Sequence, residues 1–556
     1  MRELNISRAQ ISRLALRKLR IAMRHLFIRG SYKPLGISGE AMINALLELK
    51  PEIYGSIADP EKVELNGLLY VFQRLPQGIE ECQYIKLISR EGYENATGFH
   101  AIVPAKRRRN CYRIDDNQMY IEMTRGRSDV YDVLTHLTFM YIEAEKIRKN
   151  ALDHKGRRRE EWAKLEEIIQ QIKANENFNR EVGYTYLSTL LGRTYNEILA
   201  SSLLFDEADK VNSLFCIVYD LGQLSMKEQQ LNEKREISFS STLRKKLGMH
   251  IFGAFWANKI KKKLDELNLL GKELHIISSN LHSVMNTFYA GSALKNNKQS
   301  FETLTEMISE DASLAEQVHT HALKKGMVEI SDKSGTNIGV QIFDCSKVNA
   351  ENLPADIGKV NDAAVIIVMD YAFGEQAYEC MDELLKPYEK EGSVKLKLNV
   401  KSINIMGKAG ILQGNKGDII IPDAHIFEGT ADNYPFVNSL KVSDFENSNI
   451  AVYQGSMITV LGTSLQNKDI LRYFLRSSWK AAGLEMEGAH YQKAIQSASM
   501  IRHSIDKDVS IRYAYYASDN PLETGSTLAS GGLGVGGVKP TYVITSAILK
   551  GIFSPD

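Results

Sequence analysis

Cysteine and long apolar runs are both scarce in this sequence of 556 residues. The five cysteines lie far apart, form no CxxC pair and are odd in number, which argues against a disulfide framework and against a zinc site built from cysteine pairs. The most apolar runs, 365–369 and 419–421, are far shorter than the ~20 residues needed to span a bilayer, and no secretory apolar segment opens the chain. We therefore expect a soluble protein of a reducing cytoplasm, without a membrane partner.

Neither sign of charge is in excess. Lys and Arg number 69 and Asp and Glu 68, so the formal net charge of +1 offers no general attraction for nucleic acid. A local basic run, 106–109, stands beside Tyr112 and Arg113 and would suit an anionic effector or RNA, although such runs more often form a solvated surface. The basic N-terminal stretch keeps helical apolar spacing, which favours a structural helix over a targeting segment. These observations disfavour nucleic acid as a partner.

The pattern of apolar and β-branched residues changes near residue 270. Before it, from about residue 125, proline is almost absent and apolar residues recur at three- and four-residue spacing, which predicts successive helices. Further upstream, 110–114 and 118–123 have the pattern of short strands. After residue 270, short β-branched runs alternate with helical segments, as in α/β domains. We expect a mostly helical domain of unknown role over 1–269, and over 270–556 an α/β domain with a mixed, mainly parallel sheet flanked by helices.

Two strand ends of the α/β domain contain glycine or acid. One apolar run leads into Asp370, and a second leads into a turn bracketed by Gly407 and Gly410, with Lys408 between them. Ligands bind at the carboxyl ends of strands in such sheets, and glycine lets the backbone approach a ligand closely. Taken alone, such glycine turns are more often structural than functional.

Two further strand ends carry acidic residues. Glu485 and Glu487 flank Met486 just before a predicted helix, and because they are two residues apart they cannot share one helical face. The structural interpretation is that acids favour a helix N-terminus. Ser518 and Asp519 end a later apolar run, where a helix cap or turn is the commoner explanation.

Taken together and in this order, these segments resemble the nucleoside phosphorylase and nucleosidase superfamily, whose members cleave or bind the N-glycosidic bond of nucleosides. The stretch 412–427 is similar to the family's strand after the glycine turn, 485–489 to its ribose-binding helix start, and 518–519 to the end of its late catalytic strand. AMP nucleosidases are the closest in appearance, because 520–522 reads Asn-Pro-Leu where they carry Lys-Pro-Leu after the acid. The resemblance covers about 270–556 and implies a nucleoside phosphorylase-like fold.

The resemblance also implies roles for the acidic strand ends. Asp519, with its pKa raised by burial, would give a proton to N7 of a purine, and Ser518 would orient it. Glu487 would accept hydrogen bonds from the ribose diol, and Met486 would pack on the sugar. Glu485 would either hold the substrate-binding residues in place or have a structural role only.

The sequence departs from the family's phosphorylases at two places. The loops in which they carry phosphate-binding arginines correspond to 278–283 and 403–406, and neither contains an arginine. Water is therefore favoured over phosphate as the nucleophile. The first loop also lacks the carboxylate with which some nucleosidases activate water, so the activating group is left open, with Asp370 and Glu375 as candidates. Lys408 and His282 would meet the phosphate of a nucleotide, or else lie in solvent.

The sequence thus predicts an N-glycosidase that hydrolyses the base–ribose bond of a purine nucleoside or nucleotide. The alternatives are a purine nucleoside phosphorylase and a non-catalytic nucleotide sensor. His136, Glu143 and Glu145 share a predicted helix without HExxH spacing, so no metal is assigned, and no cofactor is expected. Members of the superfamily commonly complete their sites across subunits, which implies a homo-oligomer.

Overall fold

The computed structural model describes residues 7–93, 98–230, 234–295, 300–349, 353–354, 357–390, 395–430, 432–523 and 533–554. The chain divides into two compact units. The first comprises 1–124, 129–249 and 464–470, and the second comprises 125–128, 250–463 and 471–556. In the part of the chain that the structure describes, no helix combines the length and the apolar character needed to cross a bilayer.

The helices are α1 (Arg8–Arg29), α2 (Ile37–Leu49), α3 (Leu65–Phe72), α4 (Arg127–Ala151), α5 (Glu160–Lys173), α6 (Arg180–Leu191), α7 (Tyr195–Ala208), α8 (Ser213–Gln230), α9 (Ser241–Gly248), α10 (Ile251–Glu266), α11 (Leu281–Ala293), α12 (Phe301–Glu310), α13 (Ala312–Lys324), α14 (Gln376–Leu384), α15 (Lys468–Arg476), α16 (Gly488–Gln496) and α17 (Val538–Phe553). The strands are β1 (Ser31–Tyr32), β2 (Tyr84–Ile88), β3 (Cys111–Arg113), β4 (Gln118–Glu122), β5 (Glu236–Phe239), β6 (Glu273–Ser278), β7 (Val328–Ile330), β8 (Val340–Asp344), β9 (Ala364–Met369), β10 (Val400–Ile411), β11 (Ile419–Phe427), β12 (Asn433–Pro435), β13 (Val452–Thr459), β14 (Gly483–Glu485) and β15 (Ser510–Asp519).

Local sequence explains where several helices begin and end. Ser7 and Thr194 each cap a helix with a side chain that accepts the backbone N–H of the third helical residue. The side chain of that third residue in turn accepts the backbone N–H of the capping residue. One long helix is expected over 241–269, but two helices form there. The break lies at His250, whose φ of 52° is left-handed and interrupts the helical backbone.

The first unit contains a sheet as well as helices. Its strand order is β1-β5-β2-β4-β3, and β3 and β4 are the two strands predicted from the sequence. The other three strands are not predicted from the sequence, and they are short: β1 has two residues, β5 has four and β2 has five. A strand of that length is fixed by its partners rather than by its own pattern.

The second unit is built on a ten-stranded sheet of order β12-β11-β13-β14-β10-β6-β9-β8-β7, in which β15 pairs with both β10 and β11. The strands β10, β15, β11, β13 and β14 therefore close into a barrel. The prediction of a mainly parallel sheet is not confirmed, because half of the pairings seen in the described residues are antiparallel. Antiparallel hairpins lie at both edges of the sheet, and β14 enters the barrel antiparallel to β10.

The core of the second unit lies on both faces of this sheet. Along β9, Val365, Ile367 and Met369 join one apolar cluster, and the alternate residues join the other. Helices α10, α14 and α16 contribute to the first cluster, whereas α11 and α17 contribute to the second. Burial on both faces explains why this strand is an unbroken apolar run.

Candidate functional site

The acidic strand ends of the second unit meet around one residue of β10. Gly410 pairs with Leu484 of β14 on one side and with Asp519 of β15 on the other. Leu484 and Asp519 are therefore about 10 Å apart, which is two strand spacings. The barrel thus brings the turn that follows β14 close to the last residue of β15.

The pairing of β10 with β15 contains a bulge beside Asp519. Ala409 pairs with Ala517, but the next residue, Gly410, pairs with Asp519, so Ser518 is an extra residue in β15. Bulges change the direction of the side chains that follow them and are frequent beside active sites. The bulge is therefore what sets the direction of the Asp519 side chain.

Asp519 has a buried carboxyl group, and the described residues give a hydrogen bond to one of its two oxygens. The Ser518 hydroxyl donates to Oδ1 at 2.6 Å and also lies 3.2 Å from the carbonyl oxygen of Ala409. The Oδ2 atom is buried and meets no hydrogen-bond donor in the described part of the chain. Burial raises the pKa of Asp519, and the positive charges of Lys408 and Lys416 oppose that rise. Asp519 is thus suited to exchange a proton with a bound molecule.

Glu487 lies at the start of α16 and is partly exposed. Its Oε1 atom accepts a hydrogen bond of 2.9 Å from the backbone N–H of Gly374. The surrounding protein raises the pKa of Glu487 to about 7, whereas that N–H and the charges of Arg125 and Lys408 lower it. A carboxylate in this setting can accept hydrogen bonds from hydroxyl groups.

Glu485 ends β14 and is fully engaged by the protein. Its Oε1 accepts from the hydroxyl of Thr459 at 2.5 Å, and its Oε2 accepts from the backbone N–H groups of Glu487 and Gly488. Thr459 in turn accepts the N–H of Ala489 at 2.9 Å. Glu485 therefore fixes the turn that carries Glu487 and Met486, and Met486 is itself partly exposed.

The glycines of β10 lie within the strand and not in a turn. The sequence predicts that the strand ends at Met406, but β10 runs to Ile411 and contains Gly407, Lys408 and Gly410. A Cβ atom on Gly407 would lie 3.4 Å from a ring carbon of Tyr371. The predicted glycine turn is wrong, because pairing with strands on both sides keeps this segment extended.

Among the predicted site residues, Lys408 influences both Glu487 and Asp519 through its charge. Its side chain is exposed. His282 lies apart on α11, where its Nδ1 is 3.3 Å from the hydroxyl of Tyr542 and the charge of Asp370 acts on its ring. Thus the structure relates Lys408 to both acids, and it relates His282 to the end of β9.

A short segment far upstream in the sequence also contributes to this site. The Ser128 hydroxyl accepts the N–H of Glu375 at 2.9 Å, and Arg127 pairs with the Glu375 carboxylate at 2.6 Å. Gly374 has a φ of 55°, and a Cβ there would lie 2.5 Å from the Ser128 oxygen. Arg125 stacks over the Phe373 ring at 5.0 Å. These contacts hold the loop whose Gly374 N–H binds Glu487.

These contacts also bear on the residues expected to activate water. Glu375 forms an ion pair with Arg127, and Asp370 accepts the N–H of Tyr371 at 2.8 Å.

Sequence reasoning missed Glu428, which directly follows β11. Its Oε2 accepts the N–H of Leu461 at 3.3 Å, its Oε1 has no partner among the described residues, and burial raises its pKa to about 7. Its position after a predicted strand was the only available signal.

Two other clusters of charge are occupied by internal ion pairs. Among the described residues, His250, Asp382 and Glu383 bring possible metal ligands within 4.8 Å of one another. However, Asp382 pairs with Arg502 at 2.6 Å, and Glu383 pairs with Lys386 at 2.5 Å. Cations thus already neutralise both carboxylates of this group.

Two arginines of the basic run 106–109 bind carboxylates of the protein, whereas Lys106 and Arg108 are exposed. Arg107 binds Asp132 at 2.8 and 3.0 Å, and Arg109 is buried and binds Asp129 at 2.7 Å and Asp132 at 2.9 Å. Both expectations were wrong for these two arginines, because their partners on α4 lie some twenty residues away and leave no local pattern.

Comparisons with solved structures find weak similarity over half of the chain. A Helicobacter pylori MTAN mutant with 5'-methylthioadenosine in the active site is 13% identical, with a TM-score of 0.30, and the match covers 50% of this chain and 98% of that one. A futalosine hydrolase mutant of Helicobacter pylori gives the same values. The MTA/SAH nucleosidase of Colwellia psychrerythraea in complex with adenine is 11% identical, with a TM-score of 0.29, over 50% of this chain and 96% of that one.

No curated protein matches the sequence. A family match, by contrast, covers nearly the whole chain, over residues 40–320 and 301–554. The chain belongs to the family of unknown function DUF6909.

Proposed function

We propose that this protein is an N-glycosidase that hydrolyses the base–ribose bond of a purine nucleoside or nucleotide. The observation that carries the proposal is the Asp519 carboxyl group, which is 2% exposed and has one oxygen without a hydrogen-bond donor in the described chain. Leaving a buried polar atom unpaired costs about 1–3 kcal/mol, so such an atom calls for a functional reason. A bound base would supply the missing partner.

Breaking a ribosyl C–N bond places negative charge on the departing base and positive charge on the sugar. A neutral acid beside the base offsets the first of these, and proton donation is most effective when the pKa of the acid lies near the working pH. Burial shifts the pKa of Asp519 in that direction. The Ser518 hydroxyl holds Oδ1 and leaves Oδ2 to meet N7 of the purine.

The sugar would lie against the turn that follows β14. In its ionised form, Glu487 accepts hydrogen bonds from the ribose hydroxyls, and charge-assisted bonds of this kind are about twice as strong as neutral ones. Its negative charge also stabilises the oxocarbenium-like sugar of the transition state. Met486, partly exposed beside it, gives the sugar an apolar contact. Glu485 acts as a positioning residue through its hold on the Glu487 N–H.

Lys408 gives a reason to include nucleotides among the substrates, as in an AMP nucleosidase. Its exposed side chain acts on both acids, and an ammonium group there would bind a substrate phosphate. His282 is the second group proposed to contact a phosphate. This part of the proposal predicts faster base release from a nucleoside monophosphate than from the matching nucleoside.

Water is the proposed nucleophile, and one observation keeps phosphorolysis as the second candidate. The two loops in which phosphorylases carry arginine have none, but the charge of Arg125 acts on Glu487 from the upstream segment. An arginine at this position would also suit inorganic phosphate as the attacking group. The two functions differ in the sugar product, which is free ribose or its 5′-phosphate after hydrolysis and a 1-phosphosugar after phosphorolysis.

The test is to incubate the full chain with purine nucleosides and nucleotides, with and without phosphate, and to identify both products. We expect free base and an unphosphorylated anomeric carbon in phosphate-free buffer. A strict need for phosphate would favour phosphorolysis. No base from any substrate in either buffer, with purine nucleosides still bound by the same protein, would instead favour a non-catalytic sensor.

A further inference from the structure

The first unit contains a cavity of about 190 Å³. Its walls come from α3, α7, α8 and the segment 102–105, and they are largely apolar, with Leu69, Phe72, Phe205 and Ile217 among them. An apolar cavity of about 150 Å³ is large enough to bind benzene. The cavity of this protein can therefore hold a molecule of about one ring.

Two acidic residues, Glu80 and Asp209, belong to the lining of this cavity. Glu80 is 8% exposed, and its Oε2 atom has no hydrogen-bond partner among the described residues. The other polar groups of the lining include Gln77 and Asp209, which bind each other at 2.5 Å. A buried carboxylate without a partner is unfavourable, so this oxygen is a binding group that the fold leaves unused.

The electrostatic surroundings of Glu80 are acidic. Burial, with the charges of Asp220, Glu81 and Asp209, raises its pKa to about 7. Among the neighbouring cations, Arg113 binds Glu81 at 2.9 Å and the carbonyl of Gly78 at 2.7 Å, and the charges of Lys173 and Lys210 lower the pKa of Asp220. The thiols of Cys82 and Cys216 also face the Glu80 charge, and burial raises the pKa of both.

We propose that this cavity binds a small organic cation, an amine carried on an apolar body of about one ring, with its ammonium group donating to Glu80. Apolar walls bury the body of such a ligand, and the acidic surroundings favour its charge. The same surroundings repel a carboxylate of equal size. The inference is independent of the activity proposed for the second unit.

Binding of an amine has a defined proton balance. A protonated Glu80 gives up its proton to solvent when the ammonium group takes its place, and no bond of the ligand changes. Because the free carboxyl titrates at about 7, the apparent affinity should fall about tenfold between pH 8 and pH 6. The number of protons released per bound ligand should be about 0.1 at pH 8 and about 0.9 at pH 6.

The test compares three probes of matched shape, benzylamine, benzyl alcohol and benzoate, by calorimetric titration of the full chain. We expect benzylamine to bind most tightly and benzoate not to bind. Glu80→Gln should reduce benzylamine affinity about ten- to a hundredfold, to the level of benzyl alcohol, as expected for a lost charged hydrogen bond. The control is Glu167→Gln, an exposed acid of the first unit that pairs with Lys164 and does not line the cavity, which should keep the affinity.

Two arms of the experiment use the unmodified chain, so they hold even if Glu80→Gln fails to fold. These are the ranking of the three probes and the proton release measured in buffers of different ionisation enthalpy. Benzylamine that fails to bind would overturn the proposal. Equal binding of benzylamine and benzoate, or binding without proton release near pH 6, would overturn it as well.

Discussion

Two buried carboxyl groups lie on either side of β10, one at the end of β14 and one at the end of β15, and they differ in the hydrogen bonds that they receive. Glu485 receives hydrogen bonds on both oxygens, from one hydroxyl and two backbone N–H groups. Among the residues that the structure describes, Asp519 receives one, from the neighbouring Ser518. Both are nearly inaccessible, at 3% and 2% exposure, so burial alone does not separate them.

The difference shows which acid builds the site and which acts in it. A carboxyl group whose hydrogen-bond partners are all supplied by the protein stabilises the fold, because removing it leaves those donors without an acceptor. A buried carboxyl group with one unpaired oxygen is available to bind a ligand, which would supply the missing hydrogen-bond partner. Glu487 lies between these cases, since Gly374 holds one oxygen while the side chain remains partly exposed.

The largest expected effect comes from Asp519→Asn, which keeps the shape of the side chain and removes the acidic proton. Base release from a purine nucleoside should fall about 10²- to 10⁴-fold, with binding largely kept. The matched control is Glu379→Gln, another buried acid of the second unit with a pKa raised to about 7, which binds the N–H of Gly253 at 2.8 Å. Its turnover should stay within a few-fold of the native protein.

Glu487→Gln should cost less, because it weakens the hold on the sugar and leaves the proton donor in place. Loss of one charge-assisted hydrogen bond corresponds to about 1.5–3 kcal/mol, or roughly ten- to a hundredfold in kcat/KM. A 2′-deoxy substrate provides the check, since it lacks one of the hydroxyls that Glu487 binds. Removing that hydroxyl should harm the native protein more than the variant, and equal losses in both would contradict the contact.

The pH dependence of the rate should distinguish the effect of Lys408 from that of Lys416. Because Glu487 must be ionised to bind ribose and Asp519 must be protonated, the rate should follow a bell-shaped pH profile in which each acid sets one limb. Lys408 lowers the pKa of both acids, and Lys416 lowers the pKa of Asp519. Lys408→Met should therefore move both limbs to higher pH, and Lys416→Met should move the limb that Asp519 sets.

The expected displacement is about 0.2–0.7 of a pH unit, because both lysines are exposed and solvent weakens their effect. Profiles of kcat/KM for the two variants and the native protein provide the measurement. A Lys408→Met profile in which the limb set by Glu487 does not move would mean that this lysine does not act on Glu487.

The smallest effect on turnover is expected behind the site, at Thr459. Thr459→Val leaves the Ala489 N–H and one Glu485 oxygen without their partner, which should lower the free energy of unfolding by about 1–3 kcal/mol. Turnover should fall only modestly, because Glu487 and Asp519 remain. Thr430→Val removes an exposed hydroxyl that binds Asp432, and it should change stability by no more than about 0.5 kcal/mol. Denaturant unfolding of both variants makes the comparison.

The sequence predicts the acids of this site better than it predicts their surroundings. The run that ends in Ser518 and Asp519 is a strand, and α16 begins at Gly488 and continues to Gln496, both as the apolar pattern indicates. In both places the signal is local, because strand period and helix start are written in neighbouring residues. The nearness of the two acids depends on the pairings of β10, which no local pattern contains.

The surroundings depend on contacts between distant parts of the chain. Arg127 lies about 250 positions before Glu375, yet the two form an ion pair. Gly407 and Gly410 suggest a turn when considered alone, but strand partners on both sides keep them extended. Tertiary pairing overrides local preference at such positions. The inward-facing Arg109 was missed for the same reason.

The most direct test of the account uses substrates that differ only in the leaving group. A purine base needs a proton to depart, whereas nitrophenolate from a nitrophenyl riboside departs without one. Asp519→Asn should lose about 10²- to 10⁴-fold on the purine nucleoside and less than about tenfold on the nitrophenyl riboside. Equal losses on both substrates, or near-native turnover of the purine nucleoside by folded variant, would contradict the claim that Asp519 protonates the leaving base.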